Sequence, residues 1–308
     1  MKFLVTGGAG FIGSNIVRLL LEEGHEVTVL DNLSSGYDSN LIPFRDAKFV
    51  SGDIRDTDVV SRAMFGVEAV LHLAASVGNT RSIERPIEDS EINVIGTLRI
   101  LEAARRAEVR KIVFSSSAGI FGELKTLPIR EDHAAEPDSP YGASKLAAEK
   151  LCLIYSKLYK LEAVCLRYFN VYGVNQRYDV YGNVIPIFAH RMLHQMPITI
   201  FGDGEQTRDF VNVRDIAMAN YRAALSIGVS GAFNVASGMN ITINRLVELM
   251  STSSGITPTV EYGSVRQGDV RHSIADISAA NRAFGYEPTV RLEDGLVEYM
   301  EWSCKEMI

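Results

Sequence analysis

The stretch "KFLVTGGAGFIGSNIVRLLLEEG" (residues 2–24) decides the fold. "KFLVT" (2–6) reads as a buried strand. "FIGSNIVRLLLEEG" (11–24) carries apolar residues at 12, 16, 19 and 20, a helical stripe that Gly24 stops. Between them Gly7, Gly10 and Gly13 stand three residues apart. With no Cβ in the way, the loop amides and the helix N-terminus can face a pyrophosphate. Asp31 ends the next strand, "EVTVLD" (26–31), where a carboxylate can accept both ribose hydroxyls of an adenosine. It would repel a 2′-phosphate, and Asn32 rather than Arg follows it, so NAD is favoured over NADP. The competing reading is a glycine turn of purely structural use; the strand, helix and acid together weigh against it.

Outward from this unit the pattern repeats. Strands are expected at 47–53, 68–75, 111–117 and 161–167, and helices at 87–107 and 141–159. Apolar strands alternating with helices predict an α/β fold, a parallel sheet covered on both faces. After about residue 168 the alternation becomes irregular, with short strands and helices and a last helix over 292–307. No Pro/Gly/Ser linker intervenes. The expected division is 1–168 for the cofactor-binding domain and 169–308 mainly for a smaller α/β lobe, with segments crossing back to the sheet. The 308 residues include 46% hydrophobic and 22% charged side chains, an ordinary globular balance. A net charge of −7 argues against a nucleic-acid surface. Three cysteines without CxxC spacing fit reduced thiols and a cytoplasmic protein. No apolar run is long enough to span a membrane.

Chemistry concentrates in "YGASK", which sets Tyr141 and Lys145 one turn apart on one helix face. An ammonium beside a phenol is expected to favour phenolate and draw the tyrosine pKa down, and an oxidised nicotinamide would push the same way. Ser117, ending "KIVFSSS", is the third candidate, a hydrogen-bond donor to the reacting oxygen. Asp53 in "SGDI" and Leu73, Ala74 and Ala75 in "HLAA" lie where a cofactor would run; His72 reads as a packed strand residue. Six scattered histidines show no metal-ligand spacing.

At these residues the chain resembles the extended short-chain dehydrogenases/reductases, specifically the nucleotide-sugar epimerase/dehydratase family. The matching motifs are "TGGAGFIG", "DNLSSG", "HLAA", "NVIGTLRILEAA", "FSSSAGIFG", "SPYGASKLAAE", "LRYFNVYG", "FGDGEQTRDFVNVRD" and "ASG". The resemblance implies a Rossmann-type doubly wound sheet holding NAD and a lobe holding a nucleotide sugar. It implies cofactor contacts from Gly7, Gly10, Phe11, Ile12, Gly13, Asp31, Asn32, Ser35, Gly36, Asp53, Ile54, Leu73, Ala74, Ala75, Asn93, Tyr141, Lys145 and Tyr168. It implies substrate contacts from Arg85, Ser117, Asn170, Asn183, Val184, Phe201, Arg208, Arg266, Asp269 and Ser273, with the two arginines Arg208 and Arg266 on phosphates, Asp269 on the ribose and Phe201 on the uracil.

Family dehydratases carry an Asp-Glu pair just after the serine; here Ala118 and Gly119 stand there. Without that acid and base, epimerisation by oxidation and re-reduction at C4 of a UDP-sugar is the implied reaction. Ser273 would stand at a gate beside the C2 substituent. A small residue there leaves room for an acetamido group, and "GDVRHS" looks like the segment in N-acetylhexosamine epimerases of surface-polysaccharide pathways. Epimerases restricted to UDP-glucose and UDP-galactose, or acting on UDP-glucuronate, and a non-catalytic dinucleotide-binding protein are the alternatives. Helix 141–159 is apolar around much of its circumference and helix 87–107 likewise. A homodimer through these two helices is therefore expected, unless the C-terminal lobe covers them.

Overall fold

The computed structural model describes residues 1–179, 182–265 and 270–306. The first half runs β1 (Lys2–Thr6), α1 (Phe11–Glu22), β2 (Glu26–Asp31), β3 (Lys48–Ser51), α2 (Thr57–Ala63), β4 (Ala69–His72), α3 (Asn79–Glu84) and α4 (Pro86–Ser90). A π-helical turn (Glu91–Gly96) leads into α5 (Thr97–Arg106), β5 (Lys111–Ser117), α6 (Pro140–Leu158) and β6 (Glu162–Tyr168). Then come β7 (Asn170–Tyr172), α7 (Val184–Leu193), β8 (Ile198–Phe201), β9 (Thr207–Arg208), β10 (Phe210–Asn212), α8 (Val213–Leu225) and β11 (Gly231–Val235). The chain finishes with β12 (Ile241–Thr242), α9 (Ile243–Ser254), β13 (Val260–Gly263), α10 (Ser278–Phe284) and α11 (Leu292–Glu306).

Seven strands form one all-parallel sheet in the order β11-β6-β5-β4-β1-β2-β3. Successive side chains of a strand face opposite sides, and both sides are covered. From β1, Phe3 and Val5 join Ile16, Leu20, Ile216 and Ala219 on one face. Leu4 joins Val60, Ile100, Ile112 and Cys152 on the other. The strand order turns back between β1 and β4, which opens a crevice at the strands' carboxyl ends. Beyond residue 168, β11 pairs with β6 in this same sheet, and α8 packs on the face that α1 covers. The smaller lobe has its own core of Ile185, Phe188, Ile198, Leu246, Tyr299 and Met300.

The expected helix over 87–107 is three pieces. Its middle is wound with i→i+5 spacing, a residue-wide bulge that Gly96 permits by packing against Ile54; a Cβ there would lie 2.5 Å from Ile54 Cδ1. The strand expected over 68–75 leaves the sheet after His72, where Leu73 and Ala74 donate to Thr6 Oγ1, each at 3.2 Å. Helices α2 and α3 are short, and the sequence pattern does not single them out.

Two seams tie the layers together. Arg167 on β6 and Glu149 on α6 form a buried two-pronged ion pair, Nε to Oε2 at 3.0 Å and Nη2 to Oε1 at 2.8 Å. Ser116 on β5 donates to the same carboxylate at 2.7 Å, and Arg167 Nη1 donates to Glu131 O at 2.9 Å. At the second seam Ile129 bridges Ala275 in parallel. Ile129 N donates to Ile274 O at 2.8 Å and Asp276 N to Ile129 O at 2.9 Å.

Breaking the first seam from one side leaves a buried charge without its partner. Arg167→Met should cost about 3–5 kcal/mol in urea unfolding, and adding Glu149→Gln should recover much of the loss. A single variant that loses under about 1 kcal/mol would refute this account of the pair.

Candidate active site

The glycine turn is built by contact, not by sequence pattern alone. Gly7 has φ +70°, and a Cβ on it would lie 2.7 Å from Ala74 N, so the end of β4 passes directly over it. A Cβ on Gly13 would overlap the Gly7 carbonyl oxygen and lie 2.7 Å from Gly8 Cα, which holds α1 hard against the turn. Gly10 is the N-cap of α1 and makes no side-chain cap, so no side chain of the cap satisfies the first helical amides. Such a cradle suits an anion. Phe11 and Ile12 begin the helix, half-buried.

Asp31, buried at the end of β2, accepts from Ala9 N at 2.9 Å and from Leu33 N at 2.8 Å. It therefore locks the glycine turn to the following loop, which Tyr37 N and Asn40 Nδ2 also clamp through Ala9 O. Gly36 lies against Ala9, where a Cβ would be 2.9 Å from the Ala9 carbonyl carbon, and Ser35 beside it is exposed. Asn32 donates to Asp53 Oδ2 at 3.0 Å. Hydrogen bonds from Arg55, above all, hold the Asp53 carboxyl down at about 2. Ile54 beside it is buried under Gly96. These residues could hold the pyrophosphate and adenosine of a dinucleotide.

The second half of the cleft is the mouth of α6. Ser139 caps this helix by accepting from Gly142 N at 3.2 Å, and Pro140 opens it. Gly142 has no room for a Cβ, which would overlap Gly119 O and lie 2.8 Å from Pro137 Cβ. This close approach seats Tyr141 beside Ser117. The Ser117 hydroxyl accepts from Gly119 N at 3.1 Å, and a Cβ on Gly119 would meet both it, at 3.3 Å, and the Tyr141 ring, at 3.7 Å. One turn on, buried Lys145 donates to Ser115 O at 2.8 Å and lies 4.9 Å from the Phe114 ring centre. Asn93, brought in by the π-helical turn, exchanges hydrogen bonds with the Ser76 backbone at 2.8 and 3.0 Å and reaches Ser144 Oγ at 3.0 Å. His72 is fully buried between Thr6 and Thr97, and burial holds it neutral, down to about 3.

The electrostatics differ from the expectation that Lys145 draws the tyrosine down. Burial pushes Tyr141 up to about 12; the Ser117 hydrogen bond pulls it back and the Asp89 carboxylate raises it further. Lys145 itself is lowered by burial to about 8, opposed by Asp89. The Lys145 ammonium is engaged by the Ser115 carbonyl, and burial is the larger force on both groups.

Beyond residue 168 a polar arc is centred on Asp209. Fully buried, Asp209 accepts from Ser237 N at 2.8 Å, Ser237 Oγ at 2.6 Å, Gly238 N at 3.1 Å and Ala275 N at 3.2 Å. Its backbone carbonyl takes Asn170 Nδ2 at 3.1 Å. Arg208 donates to Val270 O at 2.6 Å, and Thr207 N donates to Arg271 O at 2.9 Å. Residues 270–276 are thus clasped from two sides, with Ser273 buried among them. Phe201 ends β8 half-buried, and Asn183 and Val184 begin α7. Arg266 and Asp269 lie outside the described residues. Two candidates are engaged by other side chains. Arg85 is largely exposed and pairs with Glu88 at 3.5 Å. The Tyr168 hydroxyl is buried on the α8 side of the sheet against Asn220, at 3.0 Å. Asp209, Asp89, Glu149 and Arg167 went unmarked in the sequence; for Glu149 and Arg167 a charge inside an otherwise apolar run was the signal available, and Asp89 and Asp209 carried none.

Among the described residues no group of three or more His, Cys, Asp or Glu side chains is placed to hold a metal ion. Nor is any helix among them long and apolar enough to cross a membrane.

Residues 3–236 match the NAD dependent epimerase/dehydratase family. A UDP-glucose 4-epimerase of Mycolicibacterium smegmatis is 39% identical over 307 residues, 98% of each chain. The structure of a Thermotoga maritima UDP-glucose 4-epimerase with UDP-glucose superposes with a TM-score of 0.94 at 39% identity, over 100% of both chains. A UDP-N-acetylglucosamine 4-epimerase from Methanobrevibacter ruminantium, in complex with UDP-N-acetylmuramic acid, gives 0.95 at 37% identity over 99% of each. The chain belongs to the NAD dependent epimerase/dehydratase family; it is an enzyme, and its cofactor is NAD.

Adding one methyl at the tightest point of the cradle tests the fit. Gly13→Ala should weaken NAD binding at least roughly tenfold in calorimetric titration while leaving far-UV circular dichroism unchanged, because α1 must retreat from the turn. Unchanged affinity would show that the cofactor does not rest there.

Proposed function

We propose that this family member is a 4-epimerase of UDP-hexoses that takes UDP-GlcNAc and UDP-GalNAc as well as UDP-Glc and UDP-Gal. The observation that carries the reading is Ser117 and Tyr141 meeting at Gly119 with Lys145 one turn behind, at the same carboxyl edge of the sheet as the glycine cradle, with Ala118 and Gly119 following the serine. The turn after Ser117 holds no carboxylate, so it offers no acid or base for elimination from the sugar. Oxidation and re-reduction at a single carbon remain.

In this reading Tyr141 takes the proton of the C4 hydroxyl and Ser117 donates a hydrogen bond to the same oxygen. NAD, when bound, supplies the hydride acceptor and donor, and its positive ring charge favours the Tyr141 phenolate. Lys145 holds positive charge below the phenol. The keto sugar turns to present its other face, and Tyr141 returns the proton. The sum is redox-neutral.

Turning the sugar needs a firm grip on the nucleotide and a loose one on the hexose. The cofactor side is assigned to residues 1–168 and the nucleotide-sugar side mainly to 169–308. Arg208 and Arg266 suit the diphosphate, since guanidinium forks match phosphate oxygens. Asp269 would take the ribose, Phe201 the uracil, and Asn170, Asn183, Val184 and Arg85 the surroundings. Ser273 is the gate beside the C2 substituent. The clasp on 270–276 supports this, because a gate of fixed backbone discriminates by side-chain volume.

Assembly as a homodimer is part of the proposal. The C-terminal lobe leaves Ile87 75%, Leu158 66%, Ile83 64%, Ile154 46% and Ile95 44% exposed on α3, α4, the π-helical turn and α6. An apolar face of this extent on neighbouring helices suits a second copy. Sedimentation at micromolar concentration should give twice the 33.9 kDa of one chain.

Incubation with UDP-Gal and UDP-GalNAc, products resolved by chromatography, should show both converted. Tyr141→Phe should abolish turnover and leave NAD bound; undiminished turnover would remove the mechanism. Ser273→Tyr should keep UDP-Gal turnover and lose that of UDP-GalNAc. If both substrates survive that change equally, Ser273 is not the gate.

A further inference from the structure

Asp89 is a buried acid that the reaction outlined above does not use. It lies in α4, 1% exposed. Its Oδ1 accepts from Asn93 Nδ2 at 3.1 Å; that amide also reaches Ser144 Oγ at 3.0 Å, and the Ser144 hydroxyl donates to Tyr141 O at 3.0 Å. Ser144 directly precedes Lys145. The chain of contacts therefore ties the carboxylate to α6 at Ser144, which stands between Tyr141 and Lys145 along the helix. Its other oxygen, Oδ2, is buried and has no hydrogen-bond partner among the described residues. An orphaned carboxylate oxygen is costly to bury unless another charge compensates it. Lys145 has the mirror-image problem: a buried ammonium bonded to a neutral carbonyl, in no close ion pair among the described residues.

We propose that Asp89 is the buried counter-charge of Lys145 and, through it and Tyr141, a positioning residue that sets the pH range in which the active-site trio works. The proposal rests on the 4-epimerase reading for its substrate, not for its electrostatics. Burial raises the Asp89 carboxyl, opposed by its polar neighbours Ser144 and Asn93 and by the Lys145 charge. Asp89 in turn raises both Lys145 and Tyr141. Besides Asp89, Cys152 on α6 also raises Lys145; the other charges near these elements are engaged or exposed. Arg81 on α3 pairs with Asp179, Arg85 with Glu88, and Glu91 with Arg55; Glu84, the remaining charge on α3, is exposed. His72, beneath the same helices, is neutral.

The sign follows from the two required states. Turnover needs Tyr141 as phenolate and Lys145 as ammonium together, and the two ionisations bound that state on either side. Removing a nearby negative charge lets both groups lose their protons at lower pH. Both limbs of the kcat/KM profile then move toward acid together.

The experiment compares the NAD-loaded protein with Asp89→Asn, close to it in shape, over pH 5–11 with UDP-galactose as substrate. The Tyr141 ionisation is read separately by absorbance at 295 nm, as the difference from Tyr141→Phe. The expected result is an acidward shift of about one pH unit in both limbs and in the absorbance midpoint. Asp89→Glu should restore the original limbs, and uncharged Asp89→Ser should reproduce the shift if Asp89→Asn does not fold. Limbs and midpoint that stay in place, whatever the plateau, overturn the proposal. If neither protein turns over a UDP-sugar, the 4-epimerase reading fails, while the absorbance midpoint still decides the role of Asp89.

Discussion

The ion pair between Glu149 and Arg167 is the constraint from which the site takes its shape. It joins a helix to a strand inside the molecule, takes a hydroxyl from the next strand, and sends one guanidinium arm to the backbone of residue 131. Ser116 and Ser117 are neighbours, as are the first turns of α6 that carry Tyr141 and Lys145. Fixing Glu149 against Ser116 therefore sets the spacing between the strand end and the helix face. Residue 131 continues the constraint outward: its carboxylate accepts from Asn234 N at 2.9 Å, on the edge strand of the sheet. A buried pair of this kind adds little net stability over apolar packing, but it tolerates few alternative arrangements.

Two kinds of restriction divide the cleft. On the cofactor side, backbone approaches backbone: Gly7 against Ala74, Gly13 against Gly8, Gly36 against Ala9. The surface produced is made of amides and is shaped by absence of side chains. On the opposite side, buried carboxylates organise loops. Asp209 gathers four donors from two stretches of chain, and back on the cofactor side Asp31 performs the same service for the glycine turn. Between the two lies the trio, where burial acts on a phenol and an ammonium in opposite directions and disfavours the charged form of each.

Much of this was readable from residues alone, for reasons that differ by element. The glycines at 7, 10 and 13, flanked by an apolar run and a helical stripe, fix a local geometry, and local geometry is what a sequence states directly. Tyr141 and Lys145 are one helical turn apart, so their shared face follows from 3.6 residues per turn. The π-helical turn at 91–96 was not readable, because the apolar positions continue through it and only tertiary packing on Ile54 and Ser76 selects the extra residue. Neither Asp89 nor Asp209 could be singled out. Each differs from a surface acid only by what the distant chain places over it. The expectation that Lys145 lowers Tyr141 came from sequence adjacency, and burial, which adjacency does not report, reverses it.

The bridge between Ile129 and Ala275 joins positions far apart along the chain, and this orders events during synthesis. The glycine turn, its crossover helix and strands β1 to β5 lie within the first 117 residues and can come together while the rest is still being made. The central sheet gains its last strand only with residues 231–235, and the wall containing Ser273 closes on Ile129 only after residue 276 has left the ribosome. In the nascent chain the glycine-cradle side of the cleft is thus complete well before the side that carries Ser273. Cofactor bound at that stage would act as an early template on which the rest of the protein docks.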